Sequence, residues 1–352
     1  MIKKQPSSDK RFYELDYLRG IAALSVVLFH FTYGYDYGLG IINSNKFYFT
    51  YGKLGVNLFF MISGYVIFMT LNNVQQPLDF IVSRFARLYP AYWCAIIFSI
   101  IFVNIFDNPF EYEKVSIKQI LLNFTMLQHW FKVKDIDGAY WTLSVELTFY
   151  IIMFTLYILD QLKKIELYCL GWLILTYLCV SFKIPFENYL NELFILKYSP
   201  LFIAGILLFR FKVHGNSVLR YTLLLLSLIV EISILYSINS DWITVTIIIS
   251  FYIILLAFVK DKIYIKKNRA LLFFGTISYS LYLIHENIGL TIIYNLKNIF
   301  DFQPFYIITS FVIVVAIASL ITYTIERPVM DKIKIYYKNN SKKVALRKTQ
   351  PV

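Results

Sequence analysis

The sequence predicts an all-α fold, a polytopic transmembrane helical bundle of about ten spanning helices, and three observations predict it. Of 352 residues, 58% are hydrophobic and only 16% are charged, where a soluble chain carries about a quarter. The apolar residues come in runs near the roughly 20 residues that a bilayer demands of a helix. The lysines and arginines between those runs are unevenly shared. With the N-terminus placed inside, about 24 of the 34 lie on the inner side and about 8 on the outer, a bias of about three to one that gives N-in, C-in topology.

The spans follow in order. The first, 15–35, holds Arg19 and His30 and lacks a small-x-small exit, so it reads as a spanning helix rather than a cleaved leader. The second, 52–72, carries the small residues Gly55, Ser63 and Gly64, which let helices approach closely. Residues 79–90 alternate apolar and basic at helical spacing and read as a short interfacial helix, with Pro90 suited to the first turn of the third span, 90–106. The outer loop 107–137 is the longest connection and is rich in aromatics, among them Phe110, Tyr112, His129, Trp130 and Phe131. The fourth span, 138–159, opens on Trp141-Thr-Leu-Ser-Val-Glu146. The fifth to eighth are 165–182, 193–211, 218–236 and 241–259; Lys197 and Glu231 fall near outer ends, where long side chains snorkel to water. The ninth, 270–296, holds Ser278-Tyr-Ser-Leu-Tyr-Leu-Ile-His285, and the tenth is 304–325. Residues 1–330 thus form one membrane domain, and 331–352 a basic cytoplasmic tail lying against anionic lipid.

The net charge of +12 belongs to basic inner loops and not to a nucleic-acid surface. Cys94, Cys169 and Cys179 sit in apolar runs with neither CxxC spacing nor partnered histidines, so no zinc or redox centre is expected.

Charged and titratable groups inside hydrocarbon are costly and mark function. Eleven residues separate Arg19 from His30. Eleven steps of about 100° return to nearly the same helix face, about 16 Å further on. His30, Glu146 and His285, on three separate spans, fall within roughly 10 Å of one depth. Ser278, Tyr282 and His285 share a face at i, i+4, i+7. A histidine near a carboxylate is held in one tautomer and made a better base, which casts Glu146 as the residue that orients His30 or acts in its place. A second group is cationic and lies at the opposite surface: Arg19, with Arg84 and Arg87 three residues apart on one face. Guanidinium forks donate two parallel hydrogen bonds and suit phosphate. Asp16 and Glu326 are the carboxylates available to orient them.

Together these motifs resemble acyltransferase family three, the bacterial integral membrane O-acyltransferases of surface carbohydrates. The resemblance runs from about Glu14 to Pro328. It rests on Leu15-Asp-Tyr-Leu-Arg-Gly20 followed by His30, on Gly55-Val-Asn-Leu-Phe-Phe-Met-Ile-Ser-Gly-Tyr65, and on Arg84-x-x-Arg87-x-x-Pro90. It continues through Trp141 to Glu146 and Ser278 to His285, and ends at Glu326-Arg-Pro328.

The resemblance implies a multi-pass protein of the bacterial inner membrane. It implies acetyl-CoA as cytoplasmic acyl donor, an extracytoplasmic or lipid-linked glycan hydroxyl as acceptor, and no metal. It places His30 at the chemistry and Arg19, Arg84 and Arg87 at the donor; the residues leave open whether His30 is the general base or attacks first to give an acyl-imidazole. On this reading Ser63 lines the donor channel, and Tyr282 or His285 stabilises the oxyanion. No appended extracytoplasmic hydrolase-like domain is read, so direct transfer, or a separate periplasmic partner or homo-oligomer, is expected. A glycolipid transporter or flippase is the rival class, and it predicts paired, similar halves that the sequence does not display. An acyltransferase acting on lipid or protein is the third reading.

Overall fold

The computed structural model describes residues 13–43, 46–107, 115–182, 187–263, 266–299 and 302–348. Phe110 and Tyr112 lie outside the described residues. Among the described residues there are fifteen α-helices and no strand. Helix α1 (Tyr13–Phe29) runs into a π-helical turn, His30–Gly34, and then α2 (Tyr35–Gly38). A 3-10 turn, Thr50–Leu54, leads into α3 (Gly55–Asn73), followed by α4 (Pro77–Ile105) and α5 (Ile117–Phe124). The turn Gly138–Tyr140 opens α6 (Trp141–Ile158); α7 (Ile165–Phe182), α8 (Glu187–Phe194), α9 (Ser199–His214), α10 (Val218–Ser237) and α11 (Trp242–Val259) follow. The chain closes with α12 (Arg269–Ile284), α13 (Asn287–Lys297), α14 (Gln303–Ile321), a second π-helical turn, Thr322–Glu326, and α15 (Arg327–Lys348).

Among the described residues, eight helical stretches are long and apolar enough to cross a membrane, and Asn188–Phe194 with Leu196–His214, meeting at 58°, makes a ninth if the bent pair is one span. All ten sequence-predicted spans are helical, but the ninth departs from its expected form. It breaks after α12, which has only 16 residues, and restarts as α13. The interfacial helix and the third span are also not two elements. They form one helix of 29 residues, and Pro90 lies inside it rather than in its first turn. Its real start is Pro77, behind a capping box in which the Gln76 N–H donates to Asp79 at 3.0 Å. Burial of Ala86, Leu88, Ala91 and Tyr92 around the proline carries the helix through, where sequence propensity alone favours a break.

Helix α1 is gripped between α12 and α3, and α3 in turn packs on α9. These crossings are close because glycines make them. A Cβ on Gly275 would stand 2.1 Å from the Asp16 carbonyl oxygen, and one on Gly205 would stand 2.0 Å from that of Met61. The expectation for Gly55 and Gly64 holds in the same terms: their Cβ positions meet the Ala22 and Phe202 carbonyl oxygens at 2.4 and 2.2 Å. Residues 331–348, within the expected basic tail, are part of α15, which packs on α4; there Tyr337 donates to Asp79 at 3.0 Å. Lys197 is exposed, as snorkelling requires, but Glu231 is 2% exposed and accepts from Asn57 at 3.5 Å. Its depth reflects the packing of α10 on α9 and α11 rather than its place along the sequence.

Candidate active site

Six of the eight sequence-predicted site residues line one cavity: Arg19, Ser63, Arg84, Arg87, Glu146 and Tyr282. It encloses about 730 Å³, its open mouth included, and its walls come from α1, α3, α4, α6 and α12. Arg87 and Arg84 are held by neighbouring side chains. Arg87 forms an ion pair with Glu326 and lies over the Tyr279 ring, 5.4 Å from its centroid. Glu326 is 1% exposed and also accepts from Ser280 at 2.7 Å and Thr322 at 3.3 Å. The second π-helical turn ends at Glu326, so the family-like Glu326-Arg-Pro328 segment is the anchor of Arg87. Arg84 donates to Thr70 at 3.3 Å and lies over Phe80. Arg19, half-buried, feels the charges of Arg87, Asp16 and Glu146.

Glu146 sits among these cations. Its Oε1 accepts from Ser63 and from Tyr150, both at 2.6 Å. The carboxylate within ion-pair reach of His30 is a different one, Glu286, with Oε1 3.8 Å from His30 Nδ1. Glu146 is bonded instead to Ser63 and Tyr150 and lines the cavity with Arg19. Matched depth along two helices does not fix which faces meet.

At the outer end of the predicted path stand His30 and His285, with ring centroids 5.0 Å apart and T-shaped. Tyr282 joins the two parts of the site, since it lines the cavity and its ring centroid is 5.4 Å from that of His285. The Tyr282 hydroxyl is hydrogen-bonded to the Thr142 hydroxyl at 2.9 Å and lies 3.4 Å from the Ala139 carbonyl, to which Thr142 also donates at 2.9 Å. His285 is fully buried, and its Nδ1 bonds the Tyr282 carbonyl at 2.7 Å. A carbonyl only accepts, so neutral His285 carries its proton on Nδ1, and the unpartnered Nε2 is a lone pair. His285 in that form offers no N–H to an oxyanion, which leaves Tyr282 as the donor of the expected pair.

Glu286, Gly138, Asp137 and Tyr150 are residues that sequence reasoning missed. Glu286 and Asp137 are acidic groups next to apolar helices, which is a signal. Their meeting depends on the break between α12 and α13 and on a contact 150 residues apart, in which the Asn287 N–H donates to Asp137 at 3.0 Å. Burial pushes the Asp137 carboxyl up to about 7, against the Ala139 and Asn287 N–H groups that hold it down. His30, His285 and Glu286 also offer ligand atoms within 4.8 Å of one another, a set with the composition of a His₂Glu cation site.

The family model described as "Acyltransferase domain" matches residues 12–324. Peptidoglycan O-acetyltransferase OatA of Listeria monocytogenes is 26% identical over 155 residues, 39% of this chain and 23% of that protein. YrhL of Bacillus subtilis, provisionally named a peptidoglycan O-acetyltransferase, is 29% identical over 154 residues, 39% of this chain and 22% of that protein. ORF330 of Acidianus two-tailed virus, provisionally named an acetyltransferase, is 24% identical over 185 residues, 53% of this chain and 52% of that protein. The matched stretch thus spans less than a quarter of either bacterial relative and about half of the viral one. No solved structure matches this chain.

Proposed function

We propose that this chain, which belongs to the acyltransferase family its residues 12–324 match, is a membrane O-acetyltransferase that moves an acetyl group from acetyl-CoA to a hydroxyl of a cell-surface glycan. The observation that carries the proposal is the single cavity that has three arginines along it and Tyr282 at its histidine end. The names of OatA and YrhL support a glycan hydroxyl as acceptor.

The donor set suits the proposed co-substrate. Arg19, Arg84 and Arg87 present guanidinium groups for phosphates, and Ser63 adds a hydroxyl. From Arg19 to His30 the helix rises about 16 Å, comparable to an extended pantetheine arm. With the N-terminus in the cytoplasm, the arginines face the cytoplasmic leaflet of the bacterial inner membrane and His30 the outer one.

His30 takes the proton of the acceptor hydroxyl at Nε2, since its Nδ1 faces Glu286. The hydroxyl oxygen bonds to the acyl carbon, the carbon–sulfur bond breaks, and His30 returns the proton to the departing thiolate. Tyr282 turns its hydroxyl from Thr142 to the oxygen that gains charge. The products are the acetyl ester and free CoA. A transporter would move glycolipid with no thioester consumed.

The test uses full-length protein in detergent with acetyl-CoA and glycan fragments. CoA release that depends on the acceptor, with an acetyl-sized mass gain on the glycan, supports the proposal. Glycolipid movement with no CoA release refutes it.

A further inference from the structure

We propose that Glu286 is the positioning carboxylate of His30, and that the break between α12 and α13 serves to deliver it. This rests on the reading of His30 as proton acceptor.

Three features build the placement. First, α12 ends at Ile284 and α13 begins at Asn287, so His285 and Glu286 occupy a two-residue break. The break is tethered from outside. The Asn287 N–H donates to Asp137 at 3.0 Å, and its side-chain amide donates to the Ile136 carbonyl at 2.8 Å. The chain before α6 thus holds the start of α13 in place. Second, that same tether brings Gly138 against the Glu286 carboxylate. A Cβ at 138 would stand 2.2 Å from Oε1 and 2.9 Å from Oε2, so the carboxylate has its present position only because residue 138 has no side chain. Third, His30 does not lie in regular α-helix. It opens the π-helical turn His30–Gly34, and Gly34 packs beside its ring, where a Cβ would be 3.3 Å from Nδ1.

The outcome is His30 Nδ1 facing Glu286 Oε1 at 3.8 Å, with Glu286 Oε2 buried and without a partner. The two side chains are 21% and 20% exposed. His285, the other titratable group against His30, has its Nδ1 proton on the Tyr282 carbonyl and so does not compete for the carboxylate. An acceptor on the Nδ1 side keeps the Nδ1 proton on His30, leaves Nε2 free for the hydroxyl, and stabilises the imidazolium that forms when the proton is taken. Glu286 does not touch substrate in this scheme; it acts through His30.

The experiment compares His30→Ala, Glu286→Gln, Glu286→Asp and Gly138→Ala in the full chain, reading acceptor-dependent CoA release against acetyl-CoA concentration. Glu286→Gln should lower kcat at least about tenfold, with KM for acetyl-CoA within about twofold of wild type. Glu286→Asp should recover part of the loss, which a purely structural role would not produce. Gly138→Ala displaces the carboxylate without removing it and should give the same kcat loss, so the test survives if Glu286→Gln fails to fold. Wild-type kcat in Glu286→Gln, or a change confined to KM, overturns the proposal. So does activity lost to a chelator and restored by zinc, which would make Glu286 a metal ligand. If His30→Ala is dead and Glu286→Gln is intact, this inference alone fails. If His30→Ala is active, the functional reading itself fails.

Discussion

Replacing Glu326 with Ala should weaken donor binding through Arg87. The wild-type carboxylate is 1% exposed and satisfies three groups: the Arg87 guanidinium, the Ser280 hydroxyl at 2.7 Å and the Thr322 hydroxyl at 3.3 Å. Removing one partner of a buried ion pair typically costs about 3–5 kcal/mol. Arg87 is 29% exposed, so solvent screens part of its charge, and about 1–3 kcal/mol of stability is the expected loss. The effect on binding is separate. Arg87 is aimed into the cavity by Glu326 and by the Tyr279 ring, and without Glu326 it loses its main constraint. A charge-assisted hydrogen bond to phosphate is worth about 1.5–3 kcal/mol, which corresponds to about a tenfold to hundredfold rise in KM for acetyl-CoA. The assay is CoA release against acetyl-CoA concentration, run beside thermal unfolding in the same detergent. Ser280→Ala is the control, because it removes a neighbour of Glu326 and leaves the ion pair. A lowered Tm with unchanged KM would refute the reasoning and reduce Glu326 to a structural anchor.

Two further outcomes follow from the placement of the cavity residues. Glu146→Gln should alter KM for acetyl-CoA more than kcat, since Glu146 is bonded to Ser63 and Tyr150 among the arginines; a kcat loss of about a hundredfold at constant KM, the size of a lost proton-transfer group, would return it to the chemistry. Arg84→Ala should raise the same KM, with Arg84→Lys only a partial rescue because the planar fork is gone; normal topology with unchanged KM would remove Arg84 from the donor site.

The sequence carries the spans well because apolar length is a local property. It also brings together Arg19, Arg84 and Arg87, because helical spacing places each on a predictable face. What it misses is long-range. Pro90 reads as a helix start, and only the burial of Ala86 and Ala91 in the folded bundle shows that α4 continues through it. The segment 270–296 reads as one helix, because its break depends on Asp137 and Ile136, about 150 positions away. For the same reason Glu146 is matched by depth to His30, whereas Glu286 occupies that place. Glu231 reads as a snorkelling residue because proximity to a helix end is visible in sequence, and the neighbours that bury it are not.

His30 as proton acceptor is tested most directly by His30→Ala in purified full-length protein, with acetyl-CoA and glycan supplied and insertion verified. Acceptor-dependent CoA release should fall at least about a hundredfold, with acetyl-CoA still bound through Arg19, Arg84 and Arg87. Near wild-type release from well-folded His30→Ala protein would contradict it.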